Sequence, residues 1–190
     1  SKATTDIEYL FPTLGWGELM GIASRTNYDL SRHMEFSKQD LTYLDPETNE
    51  RYVPHVVEPS FGLDRLMLAL FCDSYENEIL DDGKDSRVIM HLNKRLAPYT
   101  CAILPLSNKL NDDAKKVFKM LTEEFDCIFD TTGSIGKRYR REDAIGTPFC
   151  ITFDFDSLND NKVTIRDRDS MKQERVEIKE LVNYIKANLD

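Results

Sequence analysis

The second half of the chain alternates short apolar runs with amphipathic stretches, and this alternation is the clearest pattern in the sequence. Residues 100–106 are an apolar run suited to a buried strand, and a helix that opens at Asp112 presents apolar residues on one face. The same reasoning predicts strands at 127–129, 149–155 and 162–166, a helix at 135–144 and a last helix from about 170. Strands and helices in alternation are typical of an α/β fold, in which helices cover an open sheet.

The first half predicts strands, a hairpin and one amphipathic helix. The hairpin is expected at 41–57, because the turn-forming residues 45–49 separate two extended runs. Apolar residues at helical spacing after Arg65 predict a helix that ends near Tyr75. The other strands of this half are predicted at 7–11 and 18–23.

A polar and acidic stretch separates the two halves. It covers residues 76–98, and we expect an ordered segment within it at 87–92. We interpret this stretch as the connection between two domains, at 1–97 and 98–190.

Composition describes a soluble globular protein. Of the 190 residues, 41% are hydrophobic and 31% are charged. No apolar run approaches the roughly 20 residues of a membrane-spanning helix, so we expect no membrane partner. The four cysteines are far apart and lie in apolar stretches, which predicts reduced, buried thiols in a cytoplasmic protein.

Charge is distributed unevenly along the chain. A net charge of −9 argues against a protein that holds nucleic acid through nonspecific phosphate contacts. Residues 1–97 carry 10 Lys/Arg against 17 Asp/Glu, whereas residues 98–190 carry 15 against 17. The second half also contains the only dense basic cluster, at 137–141, so we expect a polyanion to bind there.

Residues 53–65 contain the most informative group of candidate binding side chains. Glu58 and Ser60 project from the same face of a strand, and Arg65 follows in the first turn of a helix. A carboxylate suits an ammonium group, and arginine suits a phosphate. Taken alone, these residues could equally form an internal Glu58–Arg65 ion pair, with Ser60 as the helix cap.

Glu-Pro-Ser-Phe-Gly-Leu-Asp-Arg at 58–65 resembles the third signature motif of class II aminoacyl-tRNA synthetases, in the form of the dimeric type of glycyl-tRNA synthetase. Other blocks resemble the same family in the same order, at 15–30, 132–141, 146–149 and 163–169. The resemblance implies part of a class II antiparallel-sheet catalytic domain at 1–97. It implies a mixed-sheet α/β anticodon-binding domain at 98–190.

The resemblance implies a glycine–tRNA ligase, which forms glycyl-adenylate from glycine and ATP and transfers the glycyl group to glycine tRNA. Glu58 and Ser60 would bind glycine, and Arg25 and Arg65 would bind ATP. Glu18 would be a ligand of Mg²⁺ on the ATP phosphates. The alternative for Glu18 and Arg25 is a structural ion pair between neighbouring strands.

The resemblance also implies that 98–190 bind the anticodon stem-loop of glycine tRNA. Basic side chains would contact phosphates or base edges, and Tyr139 would stack on an unpaired base. The predicted contacts are Lys137, Arg138, Tyr139, Arg140, Arg141, Arg166 and Arg168. The alternatives are a solvated helix face paired with Glu142 and Asp143, and an Asp169 or Ser170 cap on the last helix.

The first two signature motifs of class II are missing from the chain. We therefore expect a carboxyl-terminal fragment of a homodimeric enzyme, inactive by itself. One alternative is a non-catalytic accessory module that binds tRNA or another nucleic acid, and another is a synthetase for proline, threonine or histidine. The candidate residues Glu58, Ser60 and Arg65 favour an enzyme, and the Glu-Pro-Ser sequence favours glycine.

Overall fold

The computed structural model describes residues 1–80 and 83–189, which form two compact units. Unit 1 comprises Ser1–Cys72 and unit 2 comprises Asp73–Asp190. These units are defined by packing, so the assignment of functional domains at 1–97 and 98–190 stays a prediction.

A three-stranded antiparallel sheet of order β1-β2-β5 is the main element of unit 1. The predicted strands at 7–11 and 18–23 are present but longer than expected, and helix α1 has no counterpart among the predicted elements. The elements of this unit are β1 (Ala3–Phe11), β2 (Gly15–Thr26), α1 (Tyr28–Ser37), β3 (Tyr43–Leu44), β4 (Arg51–Tyr52), β5 (Val56–Phe61) and α2 (Leu63–Ser74), whose last residues belong to unit 2.

Turns in unit 1 follow from local side-chain chemistry. Gly15 starts β2 with a φ of +74°, a conformation that favours glycine and lets the chain reverse after β1. In the turn between β3 and β4, Asp45 Oδ1 accepts a hydrogen bond of 2.8 Å from the Glu47 backbone N–H. The hairpin predicted at 41–57 is therefore confined to β3 and β4, while β5 pairs with β2.

Unit 2 is built on a mixed five-stranded sheet of order β12-β11-β10-β8-β9. Strands β8, β9 and β10 are parallel, whereas β11 and β12 are antiparallel to their neighbours. The elements are β6 (Tyr75–Leu80), β7 (Asp85–Met90), β8 (Cys101–Pro105), α3 (Asn111–Thr122), β9 (Cys127–Phe129), α4 (Ile135–Ile145), β10 (Phe149–Phe153), α5 (Ser157–Asp160), β11 (Lys162–Asp167), β12 (Gln173–Glu177) and α6 (Leu181–Ala187). The predicted α/β class with a mixed sheet is confirmed for this unit.

Both faces of this sheet are covered, which explains why β8 and β10 are buried along their whole length. The larger core cluster lies on the face under α3 and α6, and includes Ile103, Val117, Leu121, Ile151, Ile165, Leu181 and Ile185. A smaller cluster on the other face joins Ala102, Leu104 and Cys150 to Ile135 and Tyr139 of α4. Burial of a large aliphatic side chain contributes about 1.5–3 kcal/mol, so the first cluster dominates stability.

The described residues of the predicted connector, at 76–80 and 83–98, belong to unit 2. Strands β6 and β7 form an antiparallel hairpin, and Gly146 at the end of α4 lies close against β7. A Cβ atom on Gly146 would lie 3.1 Å from the Met90 carbonyl oxygen, and its φ is +86°. This position therefore needs a residue with no side chain that can adopt a left-handed backbone conformation, and glycine meets both needs.

The predicted last helix is wrong in its first part. Residues from about 170 were expected to be helical, but Gln173–Glu177 form strand β12 and Ile178–Glu180 form a 3-10 turn. Helix α6 begins only at Leu181. The apolar residues at 176 and 178 are also compatible with the period of two of a strand. Pairing with β11 makes Gln173–Glu177 a strand and not the start of a helix.

Candidate functional site

One face of the unit 1 sheet gathers small and acidic residues. Asp6, Gly21 and Ser60 are directly paired across the three strands, so their side chains share a face. Glu58 lies two residues before Ser60 on the same face of β5. A Cβ atom on Gly21 would lie 3.4 Å from Glu18 Oε1 and 3.5 Å from Asp6 Oδ1. The missing side chain at Gly21 leaves the centre of this face open between carboxylates.

Glu58 has an arginine partner in this structure. Arg25 Nε donates to Glu58 Oε2 over 2.5 Å, and both side chains are partly exposed. This hydrogen bond raises the pKa of Arg25. The pair is neither the Glu58–Arg65 pair nor the Glu18–Arg25 pair that the sequence left open as alternatives.

Arg65 and Ser60 line one cavity of about 410 Å³, together with Glu18 and residues 61–64. Arg65 is held by a hydrogen bond of 2.6 Å from its Nη1 atom to the Glu18 carbonyl oxygen. Three of the five predicted substrate residues therefore surround the same opening, and Glu58 and Arg25 form the ion pair beside it.

The described residues contain no group of three His, Cys, Asp or Glu side chains that could hold a metal ion. Glu18 is exposed and offers one carboxylate. Mg²⁺ in nucleotide sites is usually bound by one or two carboxylates, with phosphates and water completing the octahedron. The donor set therefore fits a metal that arrives with a nucleotide, and does not fit a closed metal site on this chain.

Helix α4 presents only part of its predicted basic face to solvent. Lys137 is exposed, while Arg138 is 5% exposed and donates to the carbonyl oxygens of Pro105 and Gly133, at 2.7 and 2.8 Å. Arg138 thus fixes the start of α4 to the end of β8 and does not face a ligand.

The other predicted residues of α4 are partly engaged. The Tyr139 hydroxyl lies 2.6 Å from Thr152 Oγ1, and burial raises its pKa. Arg140 pairs with Asp85, and Arg141 Nη2 lies 2.5 Å from Asp130 Oδ2. Arg140 and Arg141 keep exposed portions, whereas the Tyr139 ring packs into the smaller core cluster.

The sequence predicted that Arg166 and Arg168 would be available to RNA. In the structure they do not point together at the surface. Arg166 forms a bidentate pair with Asp143, at 2.8 and 3.0 Å, and Arg87 donates to the same carboxylate over 3.1 Å. Arg168 donates to the Gly146 carbonyl oxygen over 2.8 Å. All three guanidinium groups are buried. Arg166 is buried because Asp143 of α4 lies against it, and Arg168 is buried because it donates to the carbonyl oxygens of Gly146 and Leu92.

A further exposed surface lies at the carboxyl ends of the parallel strands. Strand β8 lies between β9 and β10 in the sheet, so the strand order reverses at β8. Ligands of open α/β sheets bind at such a reversal, beyond the carboxyl ends of the strands. Leu106 and Phe155 follow β8 and β10, and are 45% and 51% exposed. Leu158, in α5, is also half-exposed. The signal that sequence reasoning missed was apolar residues directly after buried strands.

No helix in the described part of the chain is long and apolar enough to cross a membrane.

Comparisons with known proteins show which families the chain resembles. Residues 100–188 match the family model of the anticodon binding domain. Glycine–tRNA ligases from Acetivibrio thermocellus and Clostridium tetani are 56% and 60% identical over all 190 residues, which cover 41% of each relative. The ligase from Staphylococcus haemolyticus is 60% identical over 185 residues, 97% of this chain and 40% of its own length.

The RNA binding domain of threonyl-tRNA synthetase from Cryptosporidium parvum Iowa II has a similar fold. Its TM-score is 0.68 at 19% identity, over 96% of this chain and 42% of that one. The chain thus spans about two fifths of the curated relatives it matches, and the predicted resemblance to glycine–tRNA ligases is confirmed.

Proposed function

We propose that this chain, a homologue of glycine–tRNA ligases over its whole length, supplies part of the substrate site and the anticodon-binding domain of such an enzyme. The proposal rests on one combination of observations. The chain is 56–60% identical to glycine–tRNA ligases over its whole length, and it contains a polar cavity lined by Ser60, Glu18 and Arg65. The complete enzyme forms glycyl-adenylate and transfers glycine to tRNA, as a homodimer located in the cytoplasm.

Glycine binds on the open face of the unit 1 sheet. Glu58 accepts the ammonium group, and Ser60 donates its hydroxyl to the substrate. Gly21 lets the ligand approach the backbone closely. A larger amino acid is excluded by this closeness, since a side chain would meet the sheet.

ATP binds beside glycine, with Arg65 and Arg25 facing its phosphates. Their fixed positive charge offsets the charge that develops on the phosphate during adenylate formation. The Arg25–Glu58 pair holds both groups in place before substrates bind. Bound Mg²⁺ would neutralise phosphate charge, and Glu18, which lines the cavity, would be its ligand from this chain.

Unit 2 binds the anticodon stem-loop. Lys137, Arg140 and Arg141 are the cations of α4 with solvent-exposed parts, so they contact phosphates. Phe155 at the carboxyl edge of the sheet stacks on an unpaired base. Arg138, Arg166 and Arg168, which the sequence placed among the RNA contacts, hold the domain together instead.

Exposed apolar side chains of unit 1 support the proposal that this unit is part of a larger catalytic domain. Trp16 and Leu14 at the tip of the β1–β2 hairpin are 68% and 73% exposed. Large apolar patches on a protein surface usually mark a contact with more protein. We accordingly expect no glycine-dependent ATP–pyrophosphate exchange from the 190-residue chain alone.

Anticodon recognition is tested by equilibrium binding of the chain to glycine tRNA and to the same tRNA with an altered anticodon, at one stated salt concentration. We expect tighter binding of the unaltered tRNA. Phe155→Ala should weaken it about 5- to 150-fold, because a stacked base contributes about 1–3 kcal/mol. Phe36→Ala, at an exposed position of unit 1, is the matched control. Equal affinity for both RNAs would remove the anticodon role.

Catalytic participation is tested in a chimera, in which this chain replaces the matching part of the Clostridium tetani ligase. The chimera should catalyse glycine-dependent ATP–pyrophosphate exchange. Glu58→Gln should raise the glycine KM at least about tenfold, equivalent to about 1.4 kcal/mol. Glu47→Gln, in the exposed turn between β3 and β4, serves as the control. An unchanged KM in Glu58→Gln would contradict the glycine assignment.

A further inference from the structure

Two cysteines of unit 2 lie side by side at the start of the parallel sheet. Cys101 begins β8 and Cys127 begins β9, and the two residues are directly paired in the parallel ladder. Their Sγ atoms are 3.2 Å apart, and both thiols are free. Neither residue has a role in the proposed substrate or RNA site.

The backbone at this pair already suits a covalent bridge. Neighbouring strands are about 4.8 Å apart, which is inside the range of about 4.4–6.8 Å spanned by the Cα atoms of disulfides. The sulfur atoms need to approach by about 1.2 Å to reach a bond length of about 2.04 Å, a shift that side-chain rotation supplies.

The other two cysteines do not compete for this bridge. Cys150 pairs with Ala102, the neighbour of Cys101, so its side chain lies on the opposite face of the sheet. It is buried in the smaller core cluster, whereas Cys101 belongs to the larger one. Cys72 lies in unit 1.

Reactivity differs between the paired thiols. Cys127 is partly exposed, while Cys101 is fully buried. The hydrogen bond with Cys101 lowers the pKa of Cys127, and the same contact together with burial raises the pKa of Cys101. Cys127 is thus the more accessible nucleophile, and Cys101 is placed to attack it afterwards.

We propose that Cys101 and Cys127 form an oxidation site, at which an oxidant of the peroxide class converts the two thiols into an intramolecular disulfide. With hydrogen peroxide, the Cys127 thiolate attacks one oxygen and breaks the O–O bond, which gives a sulfenic acid and a hydroxide. This hydroxide takes up the proton that the Cys127 thiol released and leaves as the first water. The Cys101 sulfur then attacks the Cys127 sulfur, and the hydroxide that leaves takes the Cys101 proton as a second water. Two thiols are oxidised and one peroxide is reduced to two waters.

The site is tested on the whole chain with equimolar hydrogen peroxide, followed by N-ethylmaleimide and non-reducing trypsin digestion. The four cysteines lie on four different tryptic peptides, which span 66–84, 96–109, 120–137 and 142–162. Mass spectrometry should find 96–109 joined to 120–137, two hydrogens lighter than their sum. Free thiols in denaturant should fall from four to two per chain.

Variants make the result specific. Cys150→Ser should leave the bridge unchanged, and Cys127→Ser should abolish it and leave Cys101 reduced. The assignment does not depend on these variants folding, because the linked peptide is read from the unaltered chain. Sulfinic acid at Cys127 without a bridge, linkage to Cys72 or Cys150, or linkage only between chains would each overturn the proposal.

Discussion

Unit 2 has an interior and unit 1 has almost none. Of the twenty buried apolar residues among those described, eighteen lie in unit 2, and only Phe11 and Ala69 lie in unit 1. Unit 1 instead exposes large apolar side chains along its sheet and helices, among them Leu14, Trp16, Phe36, Val57 and Leu63. Because apolar burial is the main favourable contribution to folding, unit 2 should be stable by itself and unit 1 should need further contacts.

The two units also use arginine differently. In unit 1 Arg25 and Arg65 are accessible, as groups that bind a ligand must be. In unit 2 Arg87, Arg138, Arg166 and Arg168 are buried and hydrogen-bonded to carboxylates and carbonyl oxygens. The same residue type is therefore accessible to a ligand in one unit and part of the buried architecture in the other.

Asp143→Ala is expected to have the largest effect on the stability of unit 2, and so on the difference between the units. Asp143 is fully buried between Arg87 and Arg166. Its removal leaves the buried Arg166 without a carboxylate and leaves Arg87 with Glu78 alone. We expect the free energy of unfolding of unit 2 to fall by about 3–5 kcal/mol. Urea denaturation followed by circular dichroism measures this loss.

Asp113→Ala is the control for that variant. Asp113 forms an exposed pair with Lys116 at 2.7 Å on helix α3, and exposed pairs contribute about 0–1 kcal/mol. Equal losses in the two variants would show that the buried network does not organise unit 2.

A matched pair of isoleucines compares apolar packing in the two units. Ile151 is fully buried in β10, and Ile7 is 45% exposed in β1. Ile151→Ala should lower the unfolding free energy by about 2–5 kcal/mol, because it leaves a cavity in the core. Ile7→Ala should cost less than about 1 kcal/mol. A large loss in Ile7→Ala would indicate a core in unit 1 that the structure does not contain.

A smaller, pH-dependent effect is expected from Glu142. Burial raises its pKa, and Thr147 Oγ1 donates to Glu142 Oε2 over 2.7 Å. The folded state therefore holds this proton more tightly than the unfolded state, whose pKa is about 4.3. The stability that comes from holding this proton is fully present below about pH 4.3. It is lost as pH rises from that value through the raised pKa of the folded state.

Glu142→Gln removes this titration. The stability of the variant relative to the unaltered chain should increase as pH rises above about 4.3, and then level off. Urea denaturation at a series of pH values measures the difference. A difference that stays constant between pH 4 and 7 would contradict the raised pKa.

Much of unit 2 could be predicted from sequence, because its signals are local. The run that became β8 is apolar throughout and the run that became β10 has one polar residue, Thr152, a composition typical of strands covered on both faces. The sequence predicts only part of the hairpin β6–β7, as the ordered segment at 87–92, because β6 is mostly polar and acidic. Its order comes from the pairing of Arg87 with Asp143, residues 56 positions apart.

The candidate sites show the same division. The motif at 58–65 predicted that Glu58, Ser60 and Arg65 could contact one small ligand. Ser60 and Arg65 line one cavity, whereas Glu58 is not among the residues that line it. The roles of Arg166 and Arg168 could not be assigned from sequence. The period of two of a strand predicts which side chains share a face, but it does not predict what covers that face. The partner of Glu58 depended on Arg25, a residue on another strand.

Hydrogen exchange measured by mass spectrometry tests the contrast between the units most directly. Amides of Cys101–Pro105 and Phe149–Phe153 should exchange at least about 30-fold more slowly than those of Ala3–Phe11 and Gly15–Thr26, equivalent to about 2 kcal/mol of additional opening free energy. Equal protection in both sheets would contradict the account, because it would mean that unit 1 is as stable as unit 2 without a comparable core.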